Sequence, residues 1–128
     1  MNTPSDAVRQ LVEAINEGNL EKAVGAYEPG ASLVVQPGQV ATGAKALREA
    51  LAGFIALQAT LTTEAHKIME SGDLALYLSR WSLRGKDPQG KEVKMSGVSS
   101  DILRRQPDGR WLIALDNPWG AALLESRS

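Results

Sequence analysis

Carboxylates set among apolar strand residues are the groups in this sequence best suited to chemistry, because burial disfavours the charged form and turns an acid into a hydrogen-bond donor at neutral pH. Asp101 lies in the run Glu92 to Arg105, where Val93, Met95, Ser99, Asp101 and Leu103 share one face by the strand period of two. If that face is concave, the Asp101 carboxyl is desolvated and its pKa rises. Val98 and Ile102 make the opposite face apolar too, and the alternative is a structural ion pair with a neighbouring-strand arginine such as Arg80 or Arg84. Asp116 stands in the closing segment Leu115-Asp116-Asn117-Pro118-Trp119-Gly120. Trp111, Ile113, Leu115 and Asn117 form one face of that strand, and Leu112, Ala114 and Asp116 the other. Asp116 and Asn117 therefore both point inward only across a bulge, and Asn before Pro is also a turn former.

Around these two candidate acids, the expected ligand contacts are Tyr27, Phe54, Tyr77, Trp81, Ser99, Asn117 and Trp119. Tyr27 closes a short helix, where its ring packs and its hydroxyl meets a ligand or a backbone carbonyl. Tyr77, Trp81 and Leu83 share a strand face, an apolar stripe that lines a pocket, fills the core or makes a dimer surface. His66, the single histidine, shares its face by parity with Thr62, Glu64, Ile68 and Glu70, a polar set that suggests solvent or a subunit interface. One histidine and no cysteine argue against a metal site. Neither a Gly-rich phosphate loop followed by Lys-Ser/Thr nor a G-x-S-x-G nucleophile turn is present, and Ser96-Gly97-Val98-Ser99-Ser100 lies within a strand pattern. No cofactor is expected.

The elements that must position these groups follow from periodicity. Ser5 can cap a helix carrying Val8, Leu11, Val12 and Ile15, which Gly18 stops before Asn19 begins a second, short helix through Tyr27. Pro29-Gly30 ends this hairpin. Ser32 to Val35 reads as a strand closed by Pro37-Gly38, and a return strand spans Gln39 to Thr42. From Ala44 to Leu57 the residues Leu47, Leu51, Phe54, Ile55 and Leu57 mark a third helix. Thr60 to Glu70, Leu74 to Leu83, Glu92 to Arg105 and Arg110 to Asn117 then read as four strands of a meander. They are joined at Ser71-Gly72-Asp73, Asp87-Pro88-Gln89-Gly90 and Pro107-Asp108-Gly109. Helices before an antiparallel sheet mean an α+β domain whose sheet curls to bury its apolar face.

With 128 residues, 43% of them apolar, residues 1–128 fit one domain with one core. The net charge of −1 is spread in both signs, which disfavours nucleic acid and anionic membranes as partners. The opening MNTPSDAVRQ has neither a basic region nor an apolar one of the signal-peptide kind, and no apolar run nears the ~20 residues of a membrane span. A cytoplasmic protein is expected.

Three segments carry a family resemblance. Ala14 to Ala23 followed by Tyr27-Glu28-Pro29-Gly30-Ala31 resembles the opening of SnoaL-like and ketosteroid-isomerase-like proteins, in the nuclear transport factor 2-like superfamily. Thr42 to Arg48 is similar to the segment that begins their third helix, and Arg104 to Trp111 to the hairpin between their last strands. The resemblance implies a cone-shaped, cystatin-like roll, with three N-terminal helices packed on a strongly curved, mainly antiparallel sheet around a pocket. It also implies a homodimer made through that sheet. Function is much less constrained, since the superfamily includes isomerases, cyclases, hydrolases, dehydratases and association modules. The isomerases need a strand carboxylate as base, and a tyrosine and a protonated aspartic acid to hold the oxyanion. Alignment puts Val35 and Leu11 at the first two positions and Asp101 at the third, so this is not a standard ketosteroid isomerase. The resemblance also sets Asp116 near an acid of the family's epoxide hydrolases.

Two function classes remain. One is a pocket for a small apolar or amphipathic molecule, of roughly 300–1,000 Å³, with a role extending to acid–base isomerase, lyase or hydrolase chemistry through Asp101 or Asp116. The other is a non-catalytic association or accessory domain whose pocket is plugged by Leu11, Ile15 and Phe54.

Overall fold

The computed structural model describes residues 2–125. Helix α1 spans Pro4–Glu17. Its cap is Thr3 rather than Ser5: the Thr3 hydroxyl accepts from the Asp6 amide, the Asp6 carboxylate accepts from the Thr3 amide, and Pro4 occupies the first turn, where no amide proton is needed. Asn19 caps α2 (Leu20–Val24), its side chain accepting from the Lys22 amide. This helix ends three residues before Tyr27, which opens strand β1 (Tyr27–Gln36) instead of closing a helix. Pro29-Gly30 falls inside β1, at an irregularity where five steps along this strand match two on its neighbour. The proline and the positive-φ glycine, read from sequence as the end of the helical hairpin, bend the strand there.

Strand β2 (Gln39–Thr42) returns antiparallel to β1, and α3 (Ala44–Ala56) crosses behind them. Strands β3 (Thr60–Ser71), β4 (Leu74–Lys86), β5 (Glu92–Arg105) and β6 (Trp111–Asp116) form the expected meander. The sheet order is β2-β1-β6-β5-β4-β3, and its one parallel pairing, β1 with β6, joins the N-terminal hairpin to the end of the meander. This is the expected α+β roll, with helices packed on a six-stranded, mainly antiparallel sheet.

Odd-numbered residues of β4 and β5 face the helices. Ala75, Tyr77, Ser79, Trp81 and Leu83 are buried while their even-numbered neighbours are more exposed, and Ser99, Asp101 and Leu103 repeat the pattern. The core joins this face to Ala7, Leu11, Ala14 and Ile15 of α1 and Leu47 and Leu51 of α3. A bulge at Glu64 shifts the parity of β3, since Thr63 pairs with Trp81 but Ala65 with Arg80. His66 consequently shares a face with Leu61, Thr63 and Ile68, not with Thr62 and Glu64, and its ring stacks on Tyr77 at 5.4 Å. The outer face keeps exposed apolar residues, among them Met69, Leu74, Val98 and Leu115.

Candidate functional site

Between the concave face of the sheet and helices α1 and α3 lies a cavity of about 100 Å³, well below the 300–1,000 Å³ expected for a typical ligand pocket. Leu11, Ile15 and Phe54 line this space without filling it. Val8, Leu33, Leu51 and Leu83 continue the apolar wall, and the half-buried Val35, Met95, Pro118 and Trp119 stand at its rim. The polar groups of the lining are the buried Tyr27, Ser79, Ser99, Asp101 and Asp116 and the half-buried Thr63.

Asp101 reaches the cavity by simple alternation along β5, but Asp116 arrives by a backbone irregularity. Ile102 pairs with Leu115 and Leu103 with Ile113, so one step on β5 spans two on β6, and Ala114 is the extra residue. The bulge lets the buried Ile113 and Asp116 both face inward although they are three residues apart. Asp101 and Asp116, 7% and 9% exposed, come together there, near enough for each to perturb the ionisation of the other. The Asn117 amide donates to Asp101 Oδ1 at 2.8 Å, and Ser99 stands beside the same carboxyl. The Tyr27 hydroxyl donates to Asp116 Oδ2 at 2.5 Å. Ser79 Oγ lies 2.6 Å from Ser99 Oγ. Five side chains from four strands thus gather into one buried polar cluster, Ser79, Ser99, Asp101, Asp116 and Tyr27.

Burial pushes Asp101 well above the ordinary carboxylate range, and the Asp116 charge and hydrogen bond push it further. The Asn117 amide and Ser99 hydroxyl oppose the rise without cancelling it. Burial also raises Asp116, against the lowering effect of the Tyr27 and Asp101 hydrogen bonds. Like charges in contact cannot both ionise at modest cost, so the pair retains one shared proton. Tyr27 is itself held well above its usual value, first by burial and then by the Asp116 charge, and stays a donor. An acid and a base therefore stand side by side in an apolar enclosure, the arrangement needed to give a proton to one atom of a bound molecule and take one from another.

The rim is built on aromatic residues. Trp81 donates from Nε1 to the Pro118 carbonyl at 2.7 Å, and its ring meets Trp119 edge-on at 5.6 Å and 73°. Gly97 pairs with Trp81 across the sheet, and a Cβ there would sit 3.1 Å from the Pro118 oxygen and 3.2 Å from the indole. Gly120, with φ of 54°, begins the 3₁₀ turn Gly120–Glu125, and a Cβ would strike the Val98 carbonyl at 2.3 Å. These glycines let the chain after β6 pass close over β5 and bring Trp119 to the rim.

The structure gathers Tyr27, Phe54, Trp81, Ser99, Asp101, Asp116 and Trp119 around the cavity. It excludes Tyr77 and Asn117 from the lining. Tyr77, opposite Asp101 on β4, is buried in the core against His66. The Asn117 side chain turns back to the amides of Trp119 and Gly120, so only its main chain serves the site. The ion-pair alternative for Asp101 is not formed: Arg80 and Arg84 are exposed, and Asp101 accepts from the Asn117 amide with Asp116 and Ser99 beside it. Sequence reasoning missed Ser79, although the alternation of Tyr77, Ser79 and Trp81 on one face could have revealed it. It also missed the contact between the two acids, which depends on the Ala114 bulge. Among the described residues no cluster of His, Asp or Glu is arranged to hold a metal ion, and no helix is long and apolar enough to cross a membrane.

Residues 8–113 match the model of the SnoaL-like domain. No curated protein matches the sequence significantly. Among solved structures, a nuclear transport factor 2-like superfamily protein from Salmonella enterica is similar with a TM-score of 0.78 and 16% identity, over 95% of this chain and 93% of that one. A candidate ketosteroid isomerase from Shewanella frigidimarina gives 0.76 and 22%, over 88% and 91%. A protein with a cystatin-like fold from Novosphingobium aromaticivorans gives 0.72 and 15%, over 87% and 75%. At these identities the likeness establishes the fold and leaves the chemistry to the site.

Proposed function

From the premise that the chain belongs to the SnoaL-like domain family, we propose that its cavity binds a small apolar or amphipathic molecule on which Asp101 and Asp116 act as an acid–base pair, in an isomerase, lyase or hydrolase reaction. The observation that carries this reading is the pair of buried, adjoining carboxyls inside an otherwise largely apolar cavity. Two adjacent buried acids cost stability that an apolar pair of the same volume would not. Asp101 would protonate an oxygen of the ligand, Asp116 would take a proton or activate water, and Tyr27 would steady the Asp116 charge. No Lys, Arg or His is among the described lining residues, which argues against an anionic ligand. Val35 and Leu11 both line the cavity as apolar groups, so any proton transfer falls to the aspartate pair instead of a β1 carboxylate.

The test is a thermal-shift screen with small carbonyl compounds, epoxides and alcohols, repeated on Asp101→Asn and Asp116→Asn. Ligand at a hundredfold excess over Kd stabilises the native state by about 2.7 kcal/mol. Shifts altered by either substitution, followed by turnover that both abolish, support the reading; compounds that bind and react equally well in both variants refute it.

The exposed apolar residues of the outer sheet face, Met69, Leu74, Val98 and Leu115, favour a second element of the proposal, a homodimer made through that face. Sedimentation velocity on Val98→Glu tests it: a monomer where the parent is a dimer is expected, and a monomeric parent overturns it.

A further inference from the structure

Resting on the ligand-pocket reading, we infer that the Trp119 indole is the gate of the cavity: it closes the mouth in this conformation and turns outward on a fixed backbone to admit an occupant. At about 100 Å³ the enclosed space is smaller than the roughly 150 Å³ that holds one benzene ring, so a ring-sized ligand enters only when a bounding group moves. The walls are held in place. Asn2, ahead of α1, exchanges two hydrogen bonds with the main chain of Trp111, at 3.1 and 2.6 Å, and Asn16, near the end of α1, exchanges two with that of Leu61, at 3.0 and 2.6 Å. The helix is thereby tied to β6 at one end and to β3 at the other. Leu47 and Leu51 fix α3 in the core, and β4 pairs with β5 without a register shift.

Trp119 is bound differently. It follows β6, outside the sheet, and its half-buried side chain reaches from β1 to β4, strands that β6 and β5 separate in the sheet order. At the β1 end Nε1 donates to the Val35 carbonyl at 3.4 Å, long for an N–H donor, and Val35 is the extra residue of a bulge against β2. At the β4 end the ring meets Trp81 by an edge. The main chain on either side is anchored more firmly. The Pro118 carbonyl accepts from Trp81 Nε1 at 2.7 Å, while the Gly120 amide is bonded to Asn117 and Gly120 lies against the Val98 carbonyl with no room for a Cβ. Rotation of the Trp119 side chain therefore leaves the backbone where it is, breaks one long hydrogen bond and one edge contact, and opens the concave face between β1 and β4. Such a gate lowers apparent affinity, which is the intrinsic affinity multiplied by the fraction of molecules that are open.

The experiment titrates the full chain, Trp119→Phe and Trp119→Ala with cyclohexanol and cyclooctanol, measuring affinity by calorimetry and association by stopped-flow fluorescence of Trp81, which lines the cavity. Truncating an aromatic residue of a fixed wall weakens binding through lost apolar contact; truncating a gate does the opposite. With the open form a minor state of about a tenth or less, Trp119→Ala is expected to bind both alcohols about tenfold or more tightly than the parent and to associate faster, with Trp119→Phe between the two. In the parent, either alcohol is expected to move the Trp119 emission, taken as the difference from Trp119→Phe, to longer wavelength and to increase its quenching by acrylamide, as the indole turns into solvent. Equal or weaker binding by Trp119→Ala, or a Trp119 emission that stays in place or moves to shorter wavelength, overturns the gate and makes Trp119 a fixed wall, while the pocket reading stands because the alcohols bind. No saturable binding to the parent or to either variant overturns the gate and the pocket reading together.

Discussion

Replacing Asp101 with asparagine tests the proton count of the site without disturbing its shape. The amide oxygen can accept from Asn117 as the carboxyl does, and the amide nitrogen can donate to Asp116 in place of the shared proton. In the parent protein the Asp101 pKa lies well above its value of about 3.9 in the unfolded chain. A carboxyl raised on folding adds stability that is complete below the unfolded value and is lost as pH climbs toward the folded one. Over the range above the unfolded value in which the unfolded chain has released this proton and the native pair still holds it, unfolding free energy should fall by about 1.4 kcal/mol per pH unit. Asp116, also raised by burial, titrates with Asp101 as one pair; the remaining shifted groups lie apart from it, since Asp6, Glu21 and Asp108 are lowered by hydrogen bonds and neighbouring cations, while Lys22, Arg48, Tyr27 and Tyr77 are raised from values already near or above 10. Asp101→Asn retains no titrating proton at this position, so its slope should flatten. The variant should gain on the parent in stability as pH rises over that range. Urea unfolding at four pH values gives both slopes. A parent profile that is flat over this range, or a variant that falls as steeply as the parent, would refute the shared-proton description.

Two further substitutions probe the same site. Tyr27→Phe removes the 2.5 Å donor to Asp116 and should cost about 1.5–3 kcal/mol near pH 8, where that carboxylate is charged. Urea unfolding of parent and variant at that pH would measure the cost. Gly97→Val places side-chain atoms against the Pro118 carbonyl and the Trp81 indole. It should destabilise by about 1–3 kcal/mol and change the near-ultraviolet circular dichroism of the Trp81–Trp119 pair; an unchanged spectrum would show that this close approach is not needed.

Much of the molecule is legible along the chain because its signals are local. Three helices follow from the spacing of Leu11 and Ile15, from the Asn19 cap and from the Leu47–Leu51 stripe, and turn residues delimit the meander strands. The inward face of β5, with Ser99, Asp101 and Leu103, follows from alternation because β5 pairs with β4 without interruption from Lys94 to Arg104. Alternation fails where a strand takes up an extra residue. The bulge at Glu64 moves His66 to the face of Thr63, and the bulge at Ala114 turns Asp116 toward Asp101. Both depend on register between strands far apart in sequence, which no local pattern encodes. The end of α2 was misplaced for a related reason: Tyr27 becomes a strand residue because β6 lies beside it, and the Ile113 amide donates to the Ala26 carbonyl there. The sequence by itself determined the family, the helices, the meander and one inward acid. Only the tertiary structure decided that the second acid meets the first, that Tyr27 and Ser79 join them in one buried polar cluster, and that the cavity is small. Long-range pairing and packing set those distances, and the chemistry of the site depends on them.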